Sequence, residues 1–357
     1  EYSEAYKKYI ELPEEERKKV EAIPNKYSVP FSALYTESME ENYLLAKQIV
    51  DEKFDNSNQY YYMYICALFG LFMKYPNNKD LIIKTFRETK FIIEDIPILD
   101  IQKKYDLNLI QDDELEVQDP SVCTNYGVSD LGFGYFIQFG KVQMVREKPM
   151  IVCTSKNNSP ANLLNVFVHE MNHILKSWNN SHGSKKDNGV SCCYNRCGMM
   201  YTIYTYDKYT DILKEEEFYS TLDEVINVYQ TTDILKYILM LDGIVPDEKF
   251  QAYFDTLDKD EMTKLNGYEK CCGLFKRVWD NDLLRGILER HLIDGELVEV
   301  SNEFDDAVGM ECFDKMADWF DDLDYLFCLN NKRKDLDKCY KMLDKLIKNI
   351  TSSKIKK

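Results

Sequence analysis

His169-Glu170-Met171-Asn172-His173 brings together the residue types of a zinc centre at the spacing such a centre needs. On a helix, positions four apart lie one turn apart on one face, so both imidazoles reach one ion. The glutamate one step after the first histidine then stands beside the open coordination position, where it takes a proton from metal-bound water. Histidine is scarce, four in 357 residues, and half of them fall in this motif. The plain alternative is a helix that carries two satisfied histidines and a surface glutamate.

The elements that must hold these groups are legible around them. Ser159-Pro160 reads as an N-cap followed by proline at the first helical position. Leu163, Leu164, Phe167, Val168, Met171, Ile174, Leu175 and Trp178 then recur at three- and four-residue spacing, the mark of a helix buried on one face. Pro149-Met-Ile-Val-Cys-Thr154 and Tyr135-Phe-Ile-Gln-Phe139 read as strands. A sheet edge beside the helix would let an extended peptide add as a further strand.

A catalytic zinc takes three protein ligands and keeps a fourth position open. A third histidine at metzincin spacing is absent, because Lys176 and Asn179 stand where the glycine and histidine would be. Glu224, in Thr221-Leu-Asp-Glu-Val-Ile-Asn-Val-Tyr-Gln230, is the best donor remaining, on a second helical stretch about fifty residues downstream. Thr221-x-x-Glu224 is equally a capping box, in which the glutamate would satisfy a backbone N–H. Asp223, His182 and Cys192 are the other candidate ligands, with His182 in a polar loop; Asn172 and Asn227 are candidates to hydrogen-bond the ligands.

His169-Glu-Met-Asn-His173 followed by Ile-Leu-Lys-Ser, then Asn195-Arg-Cys-Gly198, then Leu222-Asp-Glu-Val-Ile-Asn227, resembles the catalytic half of gluzincin metallopeptidases. It looks closest to uncharacterised predicted metallopeptidases of low-GC Gram-positive bacteria. The resemblance covers roughly residues 130 to 235, and only the His-Glu-x-x-His element is strongly specific. It implies Zn²⁺ as cofactor, His169, His173 and Glu224 as its ligands, Glu170 as general base, and a peptide or protein as substrate. The chain departs from the best-known gluzincins in its long cysteine-bearing insert between the ligand helices, so the transition-state stabiliser is not identified by likeness. Tyr201, Tyr204, Tyr219 and Arg196 are the candidates. The alternative function is a non-catalytic peptide-binding protein with structural zinc on the same scaffold.

The pattern as a whole predicts an α+β chain, predominantly α-helical: a charged arm over 1–30, a helical region over 31–120, a core over 121–240 and a helical region over 241–357. By resemblance that core is zincin-like, with a small β-sheet edge. Helical patterns cover about 31–54, 58–75 and 79–92. Tyr60–Met73 is apolar but too short to span a membrane, and reads as a buried helix. A net charge of −17 argues against nucleic acid as partner and favours basic peptides. Eleven cysteines, an odd number with vicinal pairs at 192–193 and 271–272, do not form the framework of a small secreted domain, so mostly reduced thiols are expected. The charged arm and Ile23-Pro-Asn-Lys-Tyr27 look like regions that follow a membrane anchor, which points to an extracytoplasmic enzyme; the cysteines point to the cytoplasm. Oligomeric state is not encoded in any pattern read here.

Overall fold

The computed structural model describes residues 37–107, 127–138, 141–177, 184–187, 190–243, 245–265, 268–290, 293, 297–309, 311–328 and 333–352. The charged arm, Trp178 and His182 lie outside them. The fold is α+β and mostly helical.

Three helices open the described chain: α1 (Glu37–Asp51), α2 (Tyr61–Lys74) and α3 (Lys79–Glu88). Helix α2 is apolar on every face, so the only stable place for it is the interior. Nearly all of it from Tyr61 to Phe72 is buried. The helical pattern expected over 79–92 ends early, at Glu88. Lys90-Phe-Ile-Ile-Glu94 is instead strand β1, because the β-branched pair Ile92-Ile93 finds a parallel partner in β5, which local periodicity does not reveal.

After helix α4 (Ile98–Tyr105) come β2 (Gly127–Asp130), the hairpin β3 (Phe133–Gln138) and β4 (Lys141–Arg146), and β5 (Met150–Thr154). Both strands expected from sequence are present, as β3 and β5. The first sheet has the order β1-β5-β2, with β1 parallel and β2 antiparallel to β5. Ile151, Val152 and Cys153 of the central β5 are buried, as a strand covered on both faces requires. Among the described residues, β2 is a free edge of this sheet.

Helix α5 (Pro160–Lys176) carries the His-Glu-x-x-His motif and begins where the sequence says it should. The Ser159 hydroxyl accepts from the Asn162 N–H at 3.0 Å, and Pro160 takes the first turn, where a missing N–H costs nothing. An antiparallel meander follows: β6 (Ser184–Asp187), β7 (Val190–Cys197), β8 (Met200–Asp207) and β9 (Ile212–Phe218). It leads into α6 (Ser220–Leu239).

The remainder is helical: α7 (Glu248–Phe254), α8 (Lys259–Met262), α9 (Glu269–Trp279), α10 (Asp282–Arg290), α11 (Leu297–Val308), α12 (Cys312–Cys328) and α13 (Arg333–Ser352). Helix α6 belongs to two apolar cores at once. Its first half gives Leu222, Val225, Ile226 and Tyr229 to a core built with α9–α13. Its second half gives Ile234, Leu235, Ile238 and Leu239 to a core built with α1, α2, α3, α5 and α7.

The contact between α2 and α6 is close because Gly70 has no side chain. A Cβ there would fall 2.7 Å from Ile234 Cγ2, 2.9 Å from Ile238 Cγ1 and 3.0 Å from the Ile234 carbonyl oxygen. The backbone atom does not yield as a side chain would. Gly70→Ala is therefore expected to destabilise: overpacking costs about 1–3 kcal/mol, and the helix preference of alanine returns no more than about 1 kcal/mol. A lower urea midpoint is the expected result; an unchanged or raised midpoint would show that α2 and α6 are not packed this tightly.

Candidate metal centre

His169 and His173 stand one turn apart on α5 with rings crossed at 77° and centroids 4.7 Å apart. Their Nε2 atoms face each other at 3.1 Å. From α6, Glu224 completes a triangle, with Oε2 3.2 Å from His169 Nε2 and Oε1 3.1 Å from His173 Nε2. The structure thus brings together the three residues named as ligands from the sequence. The group is dry on one side and wet on the other: the His173 side chain is 9% exposed, while His169 and Glu224 retain 19% and 27%.

The size of this triangle is a test of fit. Three corners of a tetrahedron around an ion with bonds of about 2.0–2.1 Å lie about 3.3 Å apart. The edge between the two Nε2 atoms is 3.1 Å, close to that value, while the carboxylate meets the two nitrogens through different oxygens, at 3.2 and 3.1 Å. Two imidazole nitrogens and a carboxylate are donor types that zinc takes, and one donor atom from each of the three residues lies within 4.8 Å of the others.

Buried amides set the distance between α5 and α6. Asn172 donates to Asn227 Oδ1 at 2.7 Å and to Gln230 Oε1 at 3.0 Å. It accepts from the Tyr75 hydroxyl at 2.9 Å, and Asn227 donates to the His169 carbonyl at 3.0 Å. Asn172 and Asn227, expected as partners of the ligand side chains, instead strut the two helices apart by a fixed length.

The capping-box reading of Glu224 is overturned. The α6 N-cap is Tyr219, in the left-handed region at φ 63°, with no side-chain cap of its own. Asp321, from α12, accepts the free N–H groups of Tyr219 at 2.8 Å and Thr221 at 2.9 Å. A carboxylate a hundred residues downstream therefore does the work a local glutamate would have done, and Glu224 is left to face the histidines.

Glu170 lies against the sheet edge. A Cβ on Gly127 of β2 would lie 3.6 Å from Glu170 Cγ, but also 2.4 Å from Val166 Cγ1, so only glycine lets the edge strand lie this close to α5. Glu170 is 9% exposed. Among the described residues none hydrogen-bonds its carboxylate.

Asp223, weighed as a ligand from sequence, lies on the far side of His173, with Oδ2 3.3 Å from Nδ1. Lys176 holds both its oxygens at 3.1–3.2 Å, and the Met199 N–H donates to Oδ1 at 2.8 Å. Lys176 stands seven residues after His169, on the histidine face of the helix and not on its apolar face, so nothing local marks it as a buried partner of Asp223. Cys192, on β7, belongs to neither of the two candidate metal groups among the described residues. None of the nine cysteines whose side chains are described forms a disulfide, and burial pushes the thiols of Cys153 and Cys197 up and that of Cys193 to about 11.

The proposed transition-state stabilisers are occupied elsewhere. Tyr219 donates to Asp314 at 3.0 Å, Tyr204 pairs with Glu215 at 3.2 Å, Tyr201 stacks on Phe218, and Arg196 Nε donates to the Gly198 carbonyl at 2.5 Å. Tyr201, Tyr219 and Arg196 line a cavity of about 540 Å³ whose walls include none of His169, Glu170, His173 or Glu224.

No protein-family model, curated protein or solved structure matches this chain, so any functional reading rests on the side chains themselves.

Burial works against charge on His173, but Glu224 beside it and the hydrogen bond to Asp223 prevail and hold its pKa well above the usual imidazole value. Burial likewise opposes ionisation of Glu224, and the charge of His173 with hydrogen bonds from both histidines holds its carboxyl well below the usual range. The Glu224 contribution to stability is present above the ordinary carboxylate pKa and lost as pH falls through the depressed one. The His173 contribution is present below the ordinary imidazole pKa and lost as pH rises through the raised one. Urea midpoints of the chelator-treated chain should accordingly peak in the mildly acidic range between the two. Glu224→Gln should flatten that peak on both flanks; a profile of the same shape in the variant would refute the coupling.

Proposed function

We propose that the chain is a zinc-dependent peptidase in which His169, His173 and Glu224 hold the ion and Glu170 is the general base. One observation carries the reading: two imidazole Nε2 atoms 3.1 Å apart, each 3.1–3.2 Å from an oxygen of the same partly exposed carboxylate, with a glutamate next in sequence whose carboxylate has no hydrogen-bond partner among the described residues. A zincin-like arrangement of α5, α6 and the small sheet is part of the same proposal.

Zinc bound there supplies Lewis acidity towards a carbonyl and brings the pKa of a water ligand to about 7. The chain does the rest. His169 and His173 present Nε2 lone pairs in a geometry fixed by the α5–α6 struts. Glu170, without a hydrogen-bonding partner among the described residues, is free to accept the proton of the attacking water and to return it to the leaving amine. The edge of β2, free among the described residues and lying against Glu170, offers backbone groups to an extended peptide, which would align its amide bond along the site. The overall negative charge favours a basic peptide.

A protein that only bound peptides around a structural ion would gain nothing from a carboxylate kept unpaired at this place, which is why catalysis is the better reading. Glu170→Gln should retain zinc at the parent's stoichiometry and lower peptide cleavage by about 10²–10⁴-fold. Glu224→Ala should lose zinc on dialysis. Metal analysis and a peptide-library cleavage screen check both. Full cleavage by Glu170→Gln would remove the base assignment, and a zinc-loaded parent that binds library peptides without cutting them would leave the binding-protein reading in its place.

A further inference from the structure

Three groups converge on one buried carboxylate through four contacts. Asp223 is 1% exposed and Lys176 2%. The Lys176 ammonium bridges both Asp223 oxygens at 3.1–3.2 Å, the Met199 N–H reaches Oδ1 at 2.8 Å, and His173 Nδ1 lies 3.3 Å from Oδ2. The turn at Gly198, φ +58°, closes over the group: a Cβ there would fall 2.0 Å from Asp223 Oδ1 and 3.1 Å from Lys176 Nζ. Any other residue at 198 would need both a strained backbone and a displaced carboxylate. A carboxylate fixed by α5, α6 and the turn between β7 and β8 together has no freedom to rotate.

We propose that Asp223 is the positioning residue of His173, and that the Lys176 ammonium keeps it in that role. The proposal rests on the zinc reading above. With Asp223 accepting at Nδ1, the His173 proton sits on that nitrogen, and the Nε2 lone pair is aimed at the space shared with His169 and Glu224. Lys176 does two things. It neutralises a carboxylate that would otherwise be buried unpaired, and it occupies the side of Asp223 from which a second cation would approach.

That second point decides between two roles for the same residues. His173, Cys197 and Asp223 have donor atoms within 4.8 Å of one another and make a second candidate metal group. The Cys197 thiol, however, donates to the His173 carbonyl at 3.2 Å, and Lys176 already supplies the positive charge at the carboxylate. The site is built for one ion, and Asp223 acts on it through the imidazole.

The test uses the metal-stripped and reloaded chain, with zinc as the probe. Zinc stoichiometry and Kd are measured by competition with a chromophoric chelator for the parent, Asp223→Asn, Glu224→Ala and a double variant, Lys176→Met with Asp223→Leu. The double variant removes both buried charges together, which avoids leaving one unpaired. Circular dichroism and melting of the metal-free chains report folding, and ¹⁵N NMR of the histidines reports the slowly exchanging His173 Nδ1–H. One zinc per parent chain is expected, with Kd weakened about 10–100-fold in Asp223→Asn and in the double variant. The Nδ1–H signal should be lost in the double variant while its metal-free form remains folded. Parent affinity in Asp223→Asn, with zinc lost in Glu224→Ala, would overturn the positioning role and leave the zinc reading standing. Two zinc ions per parent chain would make Asp223 a ligand and overturn it as well. A parent that takes up no zinc would overturn both.

Discussion

Everything at the site depends on the distance between α5 and α6. A coordination triangle tolerates errors of a few tenths of an ångström, whereas two apolar helices packed by shape alone can slide by more than that at little cost. Asn172 removes this freedom. Its amide is fully buried and its donors bond to Asn227 and Gln230 across the interface while Tyr75 bonds to its acceptor. To shift either helix, those bonds would have to break inside a dry interior, where each unmade hydrogen bond costs about 1–3 kcal/mol. Asn227 ties the same network to the carbonyl of His169 itself, so the strut and the ligand are one hydrogen bond apart.

Helix α6 is the element that passes this constraint to the rest of the chain. Its two halves sit in different apolar cores, and Glu224 lies on the half that packs with α9–α13. Packing in the C-terminal helices therefore bears on the position of Glu224. The cap confirms the dependence in a second way: the α6 N-terminus, one turn before Glu224, is satisfied by Asp321 of α12. Helix α5, by contrast, is anchored to the sheet through Gly127 and to α2 through the first core. The two halves of the candidate centre thus come from different cores and meet across the Asn172 strut.

This division explains what was legible in the sequence. Ser159-Pro160, the apolar stripe of α5 and the β-branched run of β5 are encoded within a few residues of where they act, and each is present as read. On its local letters Glu224 could be read two ways, because a capping box and a ligand use the same letters, and only the family resemblance favoured the ligand. The capping role is removed by Asp321, which no window around Glu224 contains. Strand β1 was missed for a related reason, since its partner β5 lies sixty residues away. Lys176 and Asp223 are 47 residues apart, and neither residue alone announces a buried pair. Local chemistry names the candidates here, and long-range contacts assign them.

A cluster of this kind is costly to bury, and the pattern of charge shows how the cost is met. Lys176 and Asp223 neutralise each other on the dry side of His173, which leaves Glu224 as the uncompensated charge of the group. In the metal-free chain a proton on His173 fills that need, which is why His173 holds its proton far above the usual range while Glu224 gives its own up far below it. Were a divalent ion to bind between His169, His173 and Glu224, it would have to displace that proton, so its binding would be coupled to proton release. The same geometry therefore stabilises the metal-free chain through a proton and presents the donors an ion would use. The buried Lys176–Asp223 pair ensures that only the exposed side of His173 is available for the exchange.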